Sequence, residues 1–240
     1  MISVCMASFN GANFIRPQIE SILSQLLPED ELIISDDGST DGTLEIVRDL
    51  NDARVLLIEG PRRGVVANFE NAISHAKGDI VFLSDQDDIW LPGKVRAVQA
   101  ALKDVDLVLT DCKVVDINLK IQQPSYFRLI DSRPGIWRNL HKTNSYQGCC
   151  MAMRRSVLDV GLPFPPGIAM HDWWLGLIAE CTGRVRFIEE PFVLYRRHGA
   201  NASITSQRSK NPLWLRFYWR FYLMACLLGR CLRRAKTRAD

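Results

Sequence analysis

Residues 80–91 read IVFLSDQDDIWL, an apolar run that ends in three carboxylates, Asp85, Asp87 and Asp88, within four positions. Carboxylates that close repel one another, and the repulsion needs an offset. Alternate carboxylates at a strand end can share one hard divalent cation. Mg2+ or Mn2+ prefers oxygen ligands and binds through one or two carboxylates plus substrate phosphates. On this reading Asp87 is the direct ligand, Asp85 helps it or holds a ribose, and Asp88 braces the loop before Trp90. The competing reading is a solvated acidic loop. The buried-type strand before the cluster and Trp90-Leu91 after it weigh against that.

Three other stretches carry chemistry. SDDGSTDG, residues 35–42, is an Asp/Gly-rich turn in which Ser39 or Thr40 is expected to cap the next helix. It is not a calcium loop of the EF-hand type. Counted from Asp37, the twelfth place is Arg48, where that loop needs a bidentate Glu. A carboxylate at a strand end can instead accept a hydrogen bond from a nucleobase N–H or a ribose hydroxyl. MHDWWL, residues 170–175, starts a helix and presents Asp172 as a general base facing a pocket walled by aromatics. The plainer reading leaves Asp172 near the helix's positive end and Trp173 and Trp174 in the core. In YRRHGANAS, residues 195–203, Arg196 and Arg197 can hold a diphosphate and His198 can give a nitrogen to the cation, although a lone His is more often structural.

The elements that must position these residues follow from the apolar pattern. Strand-like runs at Ile2–Ala7, Leu32–Ser35, Val55–Ile58, Ile80–Ser84 and Leu107–Thr110 alternate with helical spacing over 15–26, 40–50, 65–76 and 94–102. Short apolar strands without alternation predict a parallel sheet buried on both faces, and the βαβα order predicts a doubly wound α/β domain. SFNGAN, SDDGSTDG and SDQDD all fall at carboxyl ends of strands, where such sheets bind ligands. After residue 111 the pattern loosens into a mixed half. A strand is expected over 145–153, a helix over 171–181 and strands over 185–188 and 192–196.

Composition is that of a soluble globular chain, with 47% hydrophobic and 24% charged residues among 240. The net charge of +3 is uneven: residues 208–240 hold nine bases and one acid, Asp240, for +8, which leaves the rest at −5. The seven cysteines have no CxxC spacing, so a reduced compartment is expected and a structural zinc site is not. MISVCMASFN has no basic lead and turns polar by Ser8, so it reads as a first strand and not as a signal peptide.

The order of the motifs (SFN, strand–DDGSTDG, strand–DQDD, HDW, RRHG) resembles family 2 glycosyltransferases of the GT-A fold over residues 1–205. The resemblance implies a Rossmann-like, mostly parallel sheet sandwiched by helices, with a mixed acceptor-side half. It also implies roles. Ala7, Ser8 and Asn10 line the nucleotide, with Phe9 where the family more often has Tyr. Asp37 reads the base. Arg63 and Asn68, in GPRRGVVANFENAI, sit near the donor. Asp85 and Asp87 match the DxD motif for Mg2+ or Mn2+, Asp172 matches the base, and His198 matches a metal or diphosphate contact. The reaction implied is inverting transfer of a sugar from a nucleotide-sugar donor. The pattern is most similar to rhamnosyltransferase-like members of surface-polysaccharide pathways, which implies dTDP-L-rhamnose as donor and a lipid-linked saccharide of O-antigen, capsule or cell wall as acceptor.

Residues 206–240 form a second, basic and aromatic segment. Its uninterrupted apolar stretch, 221–229, is too short to span a bilayer, which takes roughly 20 residues. An amphipathic helix over 213–238 is expected to lie on an anionic membrane surface with Arg on phosphates. Packing on the domain or on a second subunit in a homodimer is the alternative. Nucleic acid is not expected, because no recognised motif accompanies the basic tail. A cytoplasmic enzyme, peripheral on the inner face of the plasma membrane, fits these features. Two other classes compete. A nucleotidyltransferase would carry a Gly-rich loop followed by Arg and Lys where this chain has SFNGAN. A non-catalytic sugar-nucleotide module would keep Asp37 and Asp87 but have no need of Asp172.

Overall fold

The computed structural model describes residues 1–198 and 212–237. The first apolar runs become β1 (Ile2–Ser8), β2 (Glu31–Asp36), β3 (Val55–Glu59) and β4 (Ile80–Asp85), all parallel. β1, β2 and β4 are buried almost throughout, as unalternating strands must be when both sheet faces are covered. β3, at the sheet edge, is half-exposed. The helices between them are α1 (Ile15–Leu23), α2 (Thr43–Asp49) and α3 (Val65–His75). α1 buries Ile15, Ile19 and Ile22, and α3 buries Phe69, Ala72 and Ile73. Each buried Ile or Phe among them, taken out of water, contributes about 1.5–3 kcal/mol before the ordering entropy is subtracted.

The second half holds β5 (Ile89–Trp90), α4 (Lys94–Ala101), β6 (Leu107–Val115), β7 (Ile121–Gln123), α5 (Tyr126–Ile130) and α6 (Ile136–His141). A 3-10 turn at Gly148–Cys150 leads into β8 (Met151–Arg154), α7 (Arg155–Gly161), α8 (His171–Thr182), β9 (Val185–Arg196) and α9 (Leu213–Thr237). The strand order is β3-β2-β1-β4-β8-β6-β9-β5, with β7 on β6. β8 lies antiparallel between β4 and β6, which makes the sheet mixed.

Several boundaries differ from the sequence reading. The helix expected from Thr40 starts at Thr43, because Gly42 takes a left-handed φ of 89° that helical residues cannot share and Ser39 and Thr40 face the first-strand loop instead. The strand expected over 145–153 is confined to β8, after the 3-10 turn. The two strands expected over 185–196 are one, β9, whose pairing with β6 shifts register around Asp111. The C-terminal segment does not stand apart from the domain. α9 buries Leu223 and Leu227 in the common core. The boundary expected at residue 205, and Gly199 after His198, lie outside the described residues.

Candidate active site

The chain runs from β1 to β2 and β3 on one side, then returns to lay β4 against the other side of β1. A crevice opens at such a switch point, beyond the strand ends. The register sets Ser8 opposite Asp36 and Ala7 opposite Asp85, so the loops after β1, β2 and β4 meet at one rim.

The two adjacent aspartates of the β2 turn divide their work. Asp36 is buried and holds the turn: Oδ1 accepts from the Gly38 and Ser39 backbone N–H groups (3.1 and 2.7 Å), and Oδ2 from the Ser8 and Ser39 hydroxyls (2.7 and 2.6 Å). Sequence reading passed over Asp36, because side-by-side carboxylates look alike until one is buried. Asp37 lines the cavity and accepts from the backbone N–H groups of Arg62 (2.6 Å) and Gly64 (2.8 Å), which ties the turn to the start of α3. Asn10, at a left-handed φ of 49°, exchanges bonds with Ser39 and Thr40. Asn68 donates to the Ser8 and Ser35 carbonyls, and its buried Oδ1 has no partner.

The acidic loop is packed, not solvated. Gln86 clasps the backbone of Phe9 through two bonds of 2.9 Å, one accepted from its N–H and one donated to its carbonyl. Asp87 Oδ2 lies 2.7 Å from His198 Nε2, and the His198 ring stacks on Phe14 at 4.7 Å. Asp88 is fully buried, with Oδ1 accepting from the Arg196 N–H at 2.9 Å. Arg196 spends its guanidinium on backbone carbonyls, with Nε 2.8 Å from Asp87 O and Nη1 3.2 Å from Ile117 O. Burial raises the pKa of Asp85 well above the carboxylate range, with the Asp88, Asp87 and Asp172 charges adding to it. Burial, then Asp87, likewise raises that of Asp88. Lys94, buried behind the loop, donates to Cys149 O at 2.8 Å and lies 4.0 Å above Trp90.

These carboxylates fit a cation. Asp88 Oδ2 is a buried acceptor without a partner. Asp85 and Asp87 offer hard oxygen donors and His198 a nitrogen, a set suited to Mg2+ or Mn2+. A second grouping, Asp85, Asp88 and Cys149, has its donor atoms within 4.8 Å of one another. Its thiol is a poor ligand for those ions, since the contact with Cys150 and burial keep it protonated.

Asp172 is the second residue of α8. Its Oδ1 accepts from the Trp173 N–H (2.6 Å) and Oδ2 from the Gly148 N–H (3.1 Å). Burial outweighs these bonds and pushes its pKa up from 3.8 to about 6. The aromatic wall beside it is not the tryptophan pair. Trp174 is fully buried, with Nε1 on Gly161 O at 2.8 Å, and Trp173 Nε1 reaches Asn139 O at 3.1 Å. Phe9, Phe14, His171 and Tyr195 make the wall. Sequence reading placed Phe9 in the nucleotide loop but missed Phe14, His171 and Tyr195, because aromatics scattered over the chain meet only through the fold.

A cavity of about 840 Å³ takes in Ala7, Ser8, Asn10, Asp37, Asn68, Asp85, Asp87, Asp172 and His198. Three expected residues are not on its wall. Arg63 is exposed, and its neighbour Arg62 lines the cavity instead. Arg196 is drawn into bracing the acidic loop. Arg197 borders a second cavity of about 520 Å³ that shares His198.

A mixed sheet with its crevice at this switch point, lined by turn, acidic loop and helix-borne Asp172, defines a glycosyltransferase of the GT-A fold. The sequence profile of "Glycosyl transferase family 2" matches residues 3–162, and the chain belongs to that family. It is 31% identical over 88% of its length to 81% of the Escherichia coli UDP-Glc:alpha-D-GlcNAc-diphosphoundecaprenol beta-1,3-glucosyltransferase WfgD. It is 27% identical over 84% of its length to 76% of the dTDP-rhamnosyl transferase RfbG of Shigella flexneri. Residues 1–349 of S. aureus TarS, solved with UDP-GlcNAc, superpose on 95% of this chain with a TM-score of 0.70 and 19% identity. The present chain spans 66% of that TarS chain.

Proposed function

We propose that the protein transfers a sugar from a nucleoside-diphosphate donor to a saccharide hydroxyl with inversion at the anomeric carbon. One observation carries the reading: Asp172 shares a single cavity with Asp37, Asp85 and Asp87. Asp37 takes the nucleobase. Ala7, Ser8 and Asn10 border the nucleotide. Asp85, Asp87 and His198 would hold a divalent cation, which when bound supplies counter-charge for the departing diphosphate. Asp172 accepts the proton of the acceptor hydroxyl. With its pKa near 6 it is ionised yet still basic at neutral pH, as a general base should be. With Asp37 given to the nucleobase and Asp85 and Asp87 to the cation, the described cavity residues leave Asp172 as the one base and no carboxylate as nucleophile. That implies one displacement and hence inversion, by analogy with inverting hydrolysis.

The acceptor we propose is a lipid-linked saccharide of a surface polysaccharide, met at the inner face of the plasma membrane. The likeness to WfgD, whose name specifies a diphosphoundecaprenol acceptor, supports this. For the donor, the likeness to RfbG supports dTDP-L-rhamnose, and UDP-glucose, from the name of WfgD, is the second candidate. A thermal-shift panel of sugar nucleotides, with and without Mn2+ or Mg2+, tests donor and metal together. One nucleotide sugar should stabilise the fold strongly only with metal. Asp87→Ala should remove the metal-dependent part, and its persistence would refute the metal role. Asp172→Asn should keep donor binding and lose about a hundredfold or more in kcat, whereas near-normal turnover would exclude Asp172 as the base.

A further inference from the structure

α9 has two unlike faces. Its inner face is fastened to the domain. Leu223 and Leu227 are buried, the Tyr222 hydroxyl donates to Pro166 O at 2.6 Å, and Arg230 donates to the carbonyls of Val160 (2.9 Å), Leu162 (2.5 Å) and Pro163. Arg230 therefore does not point to an outside phosphate. The outer face carries Trp214, Phe217, Tyr218, Phe221, Leu228 and Leu232, each 56–71% exposed. These positions recur at three- and four-residue steps, with Ala225 in the gap, and so form one stripe along the helix.

We propose that this outer stripe docks on an anionic lipid surface. Besides Arg230, which turns inward, residues 213–237 hold five bases and no acid, and the chain from 208 on is +8. The segment's net positive charge is attracted by an anionic headgroup layer, whereas a second copy carries the same sign. Trp, Tyr and Phe crowd the first half of the stripe, the residue types that settle at headgroup depth. Among the described residues no helix is long and apolar enough to cross a membrane, so α9 lies along the surface. Its inner face stays on the domain while it does so. The docking face complements the lipid-linked acceptor proposed above, and its test reads binding with no sugar transfer, so either idea can fail alone.

The test uses the full chain and sedimenting vesicles of phosphatidylcholine, with and without phosphatidylglycerol. The protein should bind the anionic vesicles about tenfold or more tightly than the neutral ones, and salt should weaken that binding. The variant Phe217→Ser/Phe221→Ser/Leu228→Ser should lose binding about tenfold or more with its circular dichroism and thermal midpoint retained. Trp214→Ser alone, in the helix's first turn, should weaken binding in the same direction if the triple variant does not fold. Wild-type protein that binds neither vesicle, or variants that bind as wild type does, would overturn the proposal. So would a solution dimer that the outer-face substitutions dissolve, since the stripe would then belong to a second copy.

Discussion

Asp172 joins a catalytic requirement to a stability cost. Its pKa is raised from 3.8 to about 6 by burial, so the fold favours its protonated form. That contribution is whole below about pH 4 and is lost as pH rises through about 6; a shift of this size is worth about 3 kcal/mol. Asp172→Asn cannot ionise, although its amide gives up one of the two backbone N–H bonds. It should therefore unfold about 1–2 kcal/mol harder than wild type at pH 8 in urea, with the gain gone by pH 4. In wild type, kcat/KM should rise with pH through about 6 and then level off, because the free carboxylate is the working form. His171 shows the same economy of polar groups. Its ring stacks on Phe69 at 4.0 Å, neither nitrogen has a partner, and burial drives its pKa down to about 3. His171→Phe should thus leave the thermal midpoint unchanged or raise it, since it removes two unsatisfied buried atoms and keeps the ring.

At the scale of elements, the site depends on how closely helices and loops approach. A Cβ at Gly176 in α8 would lie 2.3–2.4 Å from ring atoms of Tyr146, whose hydroxyl is held by Glu180 at 2.7 Å. Gly176→Ala should therefore push α8 away and cost about 1–3 kcal/mol, measurable by urea unfolding. The Gln86–Phe9 clasp works between loops. A Cβ at Gly11 would meet Gln86 Oε1 at 2.2 Å, so Gly11→Ala should break the clasp and raise the donor KM several-fold more than it lowers kcat. Helices and parallel strands were legible from spacing alone in the first half of the chain. The second half was less so: β5, β7 and α5 to α7 are two to seven residues long, too short for periodicity to register.

At the scale of the whole molecule, α9 is a structural part of the domain as well as an outward face. Removing residues 212–240 uncovers the surface against which Leu223 and Leu227 pack, so the truncated protein should melt at lower temperature than the full chain. Arg230→Met should take part of the same loss, by leaving the Val160, Leu162 and Pro163 carbonyls to find water. The amino-acid sequence by itself determined the parallel βαβ half, the family and the rim that carries Asp37, Asp85 and Asp87, because strand ends and turn chemistry are local signals, whereas Asp172, on α8, joins them only through the fold. Only the tertiary structure decided which of two neighbouring groups does which work. Asp36 folds the turn while Asp37 faces the cavity, Arg62 reaches the wall while Arg63 does not, Arg196 braces the loop, and Arg230 turns inward. Adjacent residues share a sequence context, but burial and partners come from elements far along the chain, and those contacts set each side chain's role.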